Sequence, residues 1–390
     1  MIPWYLSQWF SVRKLRSSFG SLSAVAPLPF PPQRFKIGFV IPKLGIELKL
    51  RRMSFKPRVA VIGTGSLGKE HARLYAELAK TGEVEFSGVY DTSLEAARKI
   101  GEKHAVPAFS TLSAAASAAD AFSVVTPTVT HFEVARTLLS LRKHVLVEKP
   151  MTDSSSQAAE LVSMARENRC VLQVGHVERF NPVFTTLKSV ATQPRFIESH
   201  RLSPYPARSI DIGVVLDLMI HDLDILLAFV GEPVVSVDAV GIPVLSKSED
   251  IANARIRFAN GCVANLTASR ISPERLRKIR VFSGGDKPVY ISLDYRAQEG
   301  FIYRLARNDE SESSLLKKLL GSKDSAIVSE FGGKRIVREP VPINKEEPLR
   351  LELKSFIQCV ARRQSPVVSG ESAKRALDLA FEITEQIRKA

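Results

Sequence analysis

The sequence predicts an α/β fold in two parts: a Rossmann-type, doubly wound parallel sheet, then an α+β domain with an open, mainly antiparallel sheet. Three observations predict it. Five short apolar runs, at 59–62, 85–90, 121–126, 144–148 and 171–175, alternate with helix-like segments. A glycine turn, Gly63-Thr64-Gly65-Ser66-Leu67-Gly68, joins the first run to the first of those helices. Beyond Gly175 the alternation gives way to hairpin signals, Asn260-Gly261 and Gly284-Gly285-Asp286, each set between strand-like runs.

Residues 1–52 hold Pro27, Pro29, Pro31 and Pro32 and no sustained period, so a non-globular extension is expected there. Their near lack of acids fits a transit-like segment, while Met53, just ahead of the first run, fits a start further in. Residues 53–175 form the expected cofactor domain. Its strands are short and apolar, so helices must cover both faces, here near 94–103, 131–141 and 155–168. Residues 176–390 form the expected substrate and oligomerisation domain, with hairpins pairing 254–258 with 263–267 and 278–282 with 289–293. The charged, weakly patterned stretch 306–346 is expected as a loop, and amphipathic helices near 349–363 and 371–389 close the chain.

Bulk properties exclude several classes. At 390 residues, 45% hydrophobic and 25% charged, the chain reads as globular and large enough for two cores. No apolar run reaches the roughly 20 residues that a membrane span needs. The net charge is +14, but residues 1–52 carry nine Lys/Arg against Glu47, leaving only +6 for the remaining 338 residues. No nucleic-acid partner is expected, although a moderate positive balance favours an anionic substrate. Cys170, Cys262 and Cys359 lie far apart, which suits neither a metal site nor a disulfide framework and fits a cytoplasmic setting.

The glycine turn is the strongest chemical signal. Gly63 permits the tight turn, Gly65 lets backbone approach a pyrophosphate, and Gly68 lets the helix pack on the strand. The helix start offers unpaired N–H groups to the phosphates. Asp91 ends the second run at the spacing of a ribose-binding acid. It is followed by Thr92 and Ser93 with no Arg, which favours NAD over NADP.

Two further constellations carry proton chemistry. Lys149, in Glu148-Lys149-Pro150, follows a parallel strand, where it faces the ligand crevice. The alternative is a surface lysine paired with Glu148. Asp217 and His221 stand at i and i+4 of a predicted helix, so the acid can orient the imidazole while the second ring nitrogen exchanges a proton. The alternative is an ordinary helix-surface pair, with Asp222 and Asp224 on the solvated face or capping.

These pieces together resemble the Gfo/Idh/MocA oxidoreductases: Gly63-x-Gly65-x-x-Gly68, Thr126-Pro127-x-x-x-His131, Glu148-Lys149-Pro150 and Gly213-x-x-x-Asp217-x-x-x-His221, in the family's order. The resemblance implies a nicotinamide enzyme that oxidises a sugar or polyol hydroxyl, with Lys149 and His221 as the acid/base pair and Asp217 in support. It also implies that Thr126, Pro127 and His131 lie beside the nicotinamide half, with a structural role as the alternative for His131. Three segments, at 65–73, 175–182 and 217–224, are most similar to the UDP-N-acetylglucosamine 3-dehydrogenase branch. That branch implies oxidation of the sugar 3-hydroxyl, with an aminotransferase then acting on the ketone toward lipid A-type glycolipids. A diphosphate substrate needs cationic and hydrogen-bonding partners, and Arg179, Asn181, Arg201, Tyr205 and Arg208 are the candidates. A homodimer or homotetramer is expected, because an open sheet leaves a face to cover. The alternatives are a dehydrogenase of a free sugar or inositol, and an NAD-binding regulator without catalysis. The joint presence of Lys149, Asp217 and His221 speaks against the regulator.

Overall fold

The first strand, β1 (Arg58–Ile62), is buried from Val59 onward, as a central strand covered on both faces must be. The structure is a computed structural model that describes residues 56–191, 193–205, 212–286, 288–306 and 326–389, with the backbone alone at 326–331. The expected extension, 1–52, lies outside the described residues. Around β1 runs a parallel six-stranded sheet, with β2 (Glu85–Tyr90), β3 (Ala108–Phe109), β4 (Ala121–Val124), β5 (His144–Glu148) and β6 (Leu172–Gly175). Its order is β3-β2-β1-β4-β5-β6, so the strand order reverses between β1 and β4 and opens a crevice at their carboxyl ends. Helices α1 (Gly68–Lys80), α2 (Leu94–His104), α3 (Leu112–Ala118), α4 (Thr128–Ser140) and α5 (Ser155–Glu167) connect the strands. At two residues, β3 is too short to show a period and was not expected.

The second sheet has nine described strands. In chain order they are β7 (Pro194–Leu202), β8 (Val234–Ile242), β9 (Ile251–Phe258), β10 (Val263–Ser269), β11 (Leu276–Ser283), β12 (Val289–Asp294), β13 (Glu299–Leu305), β14 (Ala326–Phe331) and β15 (Lys334–Pro340). The spatial order is β14-β15-β13-β12-β11-β7-β10-β9-β8, and every pairing is antiparallel except that of β7 with β10. Both expected hairpins form, and Gly261 takes φ +80° in the turn between β9 and β10. The loop expected over 306–346 is corrected in part. Residues 326–340 make a hairpin that turns at Gly332 and Gly333, both at positive φ, while 307–325 lie outside the described residues.

Four helices complete the described chain: α6 (Pro182–Val190), α7 (Ile220–Val230), α8 (Pro348–Arg362) and α9 (Gly370–Lys389). The two C-terminal helices divide their work. Leu353, Phe356, Ile357 and Val360 of α8 share a core with Val59, Val61, Leu74 and Tyr75, so α8 returns to cover the parallel sheet. In α9, Ala373, Leu377, Ala380 and Ile383 join the larger core that spans both sheets. The two sheets thus lie on either side of residues 175 and 176, while the larger core runs across both. Among the described residues no helix is long and apolar enough to cross a membrane.

Candidate active site

The glycine turn lies at the carboxyl end of β1. A side chain on Gly63, at φ +94°, would collide with Val125 O, and one on Gly68 would collide with Gly63 O. The protein's own packing thus demands both glycines. A Cβ at Gly65 meets nothing within 4 Å, so the open space beside it suits the close approach of a ligand. The first turn of α1 has no side-chain cap at Leu67, which leaves N–H groups at Ser66, Leu67 and Gly68 for an anion. At the end of β2, the Asp91 carboxylate accepts from Thr64 N at 2.7 Å, Thr64 Oγ1 at 2.9 Å and Ser93 N at 2.9 Å. Burial would raise this carboxyl, but those bonds outweigh it and hold it below the usual range. Asp91 stays an acceptor beside the turn, and this set fits a dinucleotide with a free ribose hydroxyl pair.

His131 takes the structural alternative. Its ring is 1% exposed, with Nδ1 on Pro150 O and Nε2 on Thr126 O, each at 2.8 Å. Instead of facing the nicotinamide, it ties the loop after β4 to the loop after β5. That places Thr126, Pro127 and Lys149 along one rim of the crevice.

Lys149 crosses from the parallel sheet to the second domain. Its Nζ donates to the Asp217 carbonyl at 2.6 Å and to Asp217 Oδ1 at 3.2 Å. Asp217 sits in a π-helical turn, Val215–Met219, that leads into α7, and such wide turns recur at functional sites. The expectation that Asp217 orients His221 is corrected: its carboxylate serves Lys149, and His221 Nδ1 has no partner among the described residues. The His221 ring instead meets His176 edge-on, 6.0 Å between centroids. Burial, then the charges of Lys149 and Arg201, hold the His221 imidazole well below its ordinary value, so it is neutral near neutral pH. The site thus sets a neutral imidazole beside a lysine whose charge Asp217 balances.

The helix that carries His221 is pinned by ion pairs, which removes the solvated-face alternative for Asp222 and Asp224. Asp222 and Asp224 are 5% and 1% exposed. Arg201 Nε meets Asp222 Oδ2 at 2.7 Å and its Nη1 meets Glu178 Oε1 at 3.0 Å. Arg179 Nη1 meets Asp224 Oδ1 at 3.2 Å. Both arginines, expected to bind a diphosphate, therefore have protein partners, and Arg201 is itself 3% exposed. Asn181 is likewise committed: it caps α6 through Val183 N and donates to Glu178 Oε2 and Tyr295 O, each at 3.0 Å. Tyr205 remains accessible at 37% exposure, with the Arg270 guanidinium over its ring. Arg208 lies outside the described residues.

Several groups at the site escaped the sequence reading. His71 is buried with Nε2 3.2 Å from Glu148 Oε1, and Glu148 packs over Gly175, where a Cβ would leave it no room. Arg270, at 0% exposure, joins Asp250 Oδ1 at 2.8 Å and donates to Ile212 O at 2.7 Å, which fixes the approach to the π-turn. Glu352, on α8, is fully buried near Glu148 and Asp224. His71 and His176 lay within the branch-like segments, but Glu352 carried no local signal.

Comparison with known proteins agrees with this geometry. The family model described as the oxidoreductase family, NAD-binding Rossmann fold, matches residues 57–176, and the Gfo/Idh/MocA C-terminal domain model matches 188–285. The chain is 33% identical over 327 residues to UDP-N-acetylglucosamine 3-dehydrogenase from Acidithiobacillus ferrooxidans, covering 84% of this chain and 96% of that protein. A solved structure of that enzyme superposes with a TM-score of 0.75 over 86% of this chain and 98% of the other. The NAD-dependent scyllo-inositol 2-dehydrogenase of Bacillus subtilis is 24% identical over 86% of this chain and 95% of its own. The chain belongs to the Gfo/Idh/MocA family and is an NAD-binding oxidoreductase.

Proposed function

We propose that the protein oxidises a secondary hydroxyl of a sugar to a ketone, with the 3-hydroxyl of UDP-N-acetylglucosamine as the substrate best supported. The observation that carries the reaction is the bridge from Lys149 to Asp217 beside a neutral His221, at the rim of the dinucleotide crevice. Bound NAD would supply the hydride acceptor. The chain's own residues then manage the proton: Lys149 polarises the hydroxyl oxygen with an N–H that Asp217 leaves free, and His221 accepts the proton as the carbonyl forms. Full-length similarity to the A. ferrooxidans enzyme supports the nucleotide sugar. A ketone at that carbon suits an aminotransferase as the next enzyme, toward an amino-sugar glycolipid. Purified protein with NAD and UDP-N-acetylglucosamine should generate NADH absorbance, and silence across a panel of UDP-sugars would overturn the substrate.

A free sugar or inositol is the second reading, and one observation favours it. Arg179, Arg201 and Asn181 are engaged within the protein, so of the expected diphosphate partners among the described residues only Tyr205 is left without a hydrogen bond or ion pair. Side-by-side kcat/KM for UDP-N-acetylglucosamine and inositol separates the two.

We propose further that the protein works as a homo-oligomer joined through the outer face of its antiparallel sheet. Support comes from an aromatic ladder across β7, β11, β12 and β13: Phe196 lies tilted against Phe282 at 5.4 Å between centroids, and Phe282, Tyr290 and Tyr303 stack at 4.7 and 4.9 Å.

A further inference from the structure

A cavity of about 430 Å³ lies between α5, the starts of β5 and β6, and the segment joining α8 to α9. It opens at the amino ends of the parallel strands. The dinucleotide crevice is at their carboxyl ends, roughly one strand length or 13 Å away. Its volume falls in the range of small-molecule sites, roughly 300–1,000 Å³.

The charge on its walls is one-sided. Arg166, Arg169 and Arg363 line it against a single acid, Glu371. The three guanidiniums are exposed, and none has an ion pair or hydrogen bond among the described residues, whereas buried arginines such as Arg201 find carboxylates. Beside them His144 accepts from Val171 N at 2.8 Å through Nδ1, which leaves Nε2–H of the neutral ring as a further donor.

Backbone conformation adds a second, independent observation. Arg169 follows the end of α5 at φ +54°, and Arg363 follows the end of α8 at φ +52°. Left-handed positions after helices favour Gly or Asn, and a long side chain there costs about 1 kcal/mol. Arginine near a helix C-terminus can repay part of that by bonding the last carbonyls. Here neither side chain makes such a bond, so the fold places two cations at strained positions with no partner of their own.

We propose that this cavity is a second anion site, which binds a phosphorylated small molecule with at least two negative charges. Three arginine forks and an imidazole N–H match phosphate oxygens. The site is separate from the dinucleotide crevice and does not depend on which sugar the enzyme oxidises.

Inorganic pyrophosphate is the probe, titrated by calorimetry into the intact protein saturated with NADH, so that the cofactor's own phosphate site is filled. One pyrophosphate should bind per chain and raise the Tm. Arg169→Asn with Arg363→Asn removes both charges while suiting the left-handed backbone. This double variant should fold at an equal or higher Tm and keep its NADH affinity. Its pyrophosphate affinity should fall about a hundredfold, at about tenfold per lost charge-assisted contact. Arg166→Gln, on the last turn of α5, gives an independent loss of about tenfold without touching a strained residue. No binding to the NADH-saturated protein, or binding that survives these substitutions, would overturn the proposal.

Discussion

Lys149 Nζ touches the carbonyl and the carboxylate of Asp217 at once, at 2.6 and 3.2 Å, and so ties the end of β5 to the π-turn before α7. One ammonium closes the gap between the two halves of the site. Lys149→Met should therefore lower kcat by about 10²–10⁴, the usual span for a general acid–base group, with NADH affinity nearly unchanged. Asp217→Asn keeps the shape but not the charge and should cost less. Stopped-flow and NADH titration distinguish these effects, and a Lys149→Met enzyme with wild-type kcat would remove lysine from the mechanism.

With His221 as the proposed base, its imidazole sets the acid side of the pH profile. Its imidazole is depressed, so the base is already free at the ordinary histidine value of about 6.5, and kcat/KM should fall only below that. Stability follows the same sign. Burial lowers His131, His144, His176 and His221, so just below about pH 6.5 the unfolded chain binds more protons than the folded one. Urea midpoints should drop as the pH falls through that value. A midpoint that rises on mild acidification would contradict this.

Glu352 carries the opposite sign. Neither carboxyl oxygen has a partner among the described residues, and burial, then Glu148 and Asp224, raise it well above the usual range. The folded state holds a proton that the unfolded state loses above about pH 4.5, so this group's contribution shrinks as pH rises toward its folded pKa. Glu352→Gln keeps the neutral shape and should regain about 1.4 kcal/mol for each pH unit of that interval. Equal pH slopes of urea stability in wild type and variant would show that Glu352 is charged in the fold.

The outer aromatic ladder gives a test of assembly. Phe282 is 37% exposed at its centre, while Ile279 and Val281 of the same strand point into the core. Phe282→Lys places a charge on the outer face alone. Sedimentation should show a shift toward monomer with little loss of secondary structure, whereas an unchanged oligomer would move the interface elsewhere.

Much of this was legible from the chain, for definable reasons. Asn260-Gly261 permits positive φ, so it announced a hairpin, and Gly63 and Gly68 announced a strand–helix contact that leaves no room for a Cβ. The partners of charged groups were not legible. For Asp222 and Asp224 a wet helix face or a capping role stayed open, because their arginines arrive from β7 and the turn before α6, more than 20 and 40 residues away in sequence. Asp217 was assigned to His221 by α-helical spacing, which the π-turn does not keep. Helix α8 read as part of the second domain, since amphipathicity shows that a face is buried but not what buries it.

Gly65 and Gly68 look alike in the motif, yet the structure gives them different tasks. A methyl on Gly68 collides with Gly63 O, and backbone on both sides leaves no flexible atom to yield. Gly68→Ala should therefore cost a few kcal/mol of stability, as overpacking does, with cofactor loss as a consequence. A methyl on Gly65 meets nothing within 4 Å, so Gly65→Ala should fold with an unchanged Tm. That methyl occupies the space where a pyrophosphate approaches the backbone, so NADH affinity should fall about tenfold or more. Thermal unfolding without cofactor, beside NADH fluorescence titration, reads the two effects apart. Equal stability losses in both variants would mean that the space at Gly65 serves the fold and not the cofactor.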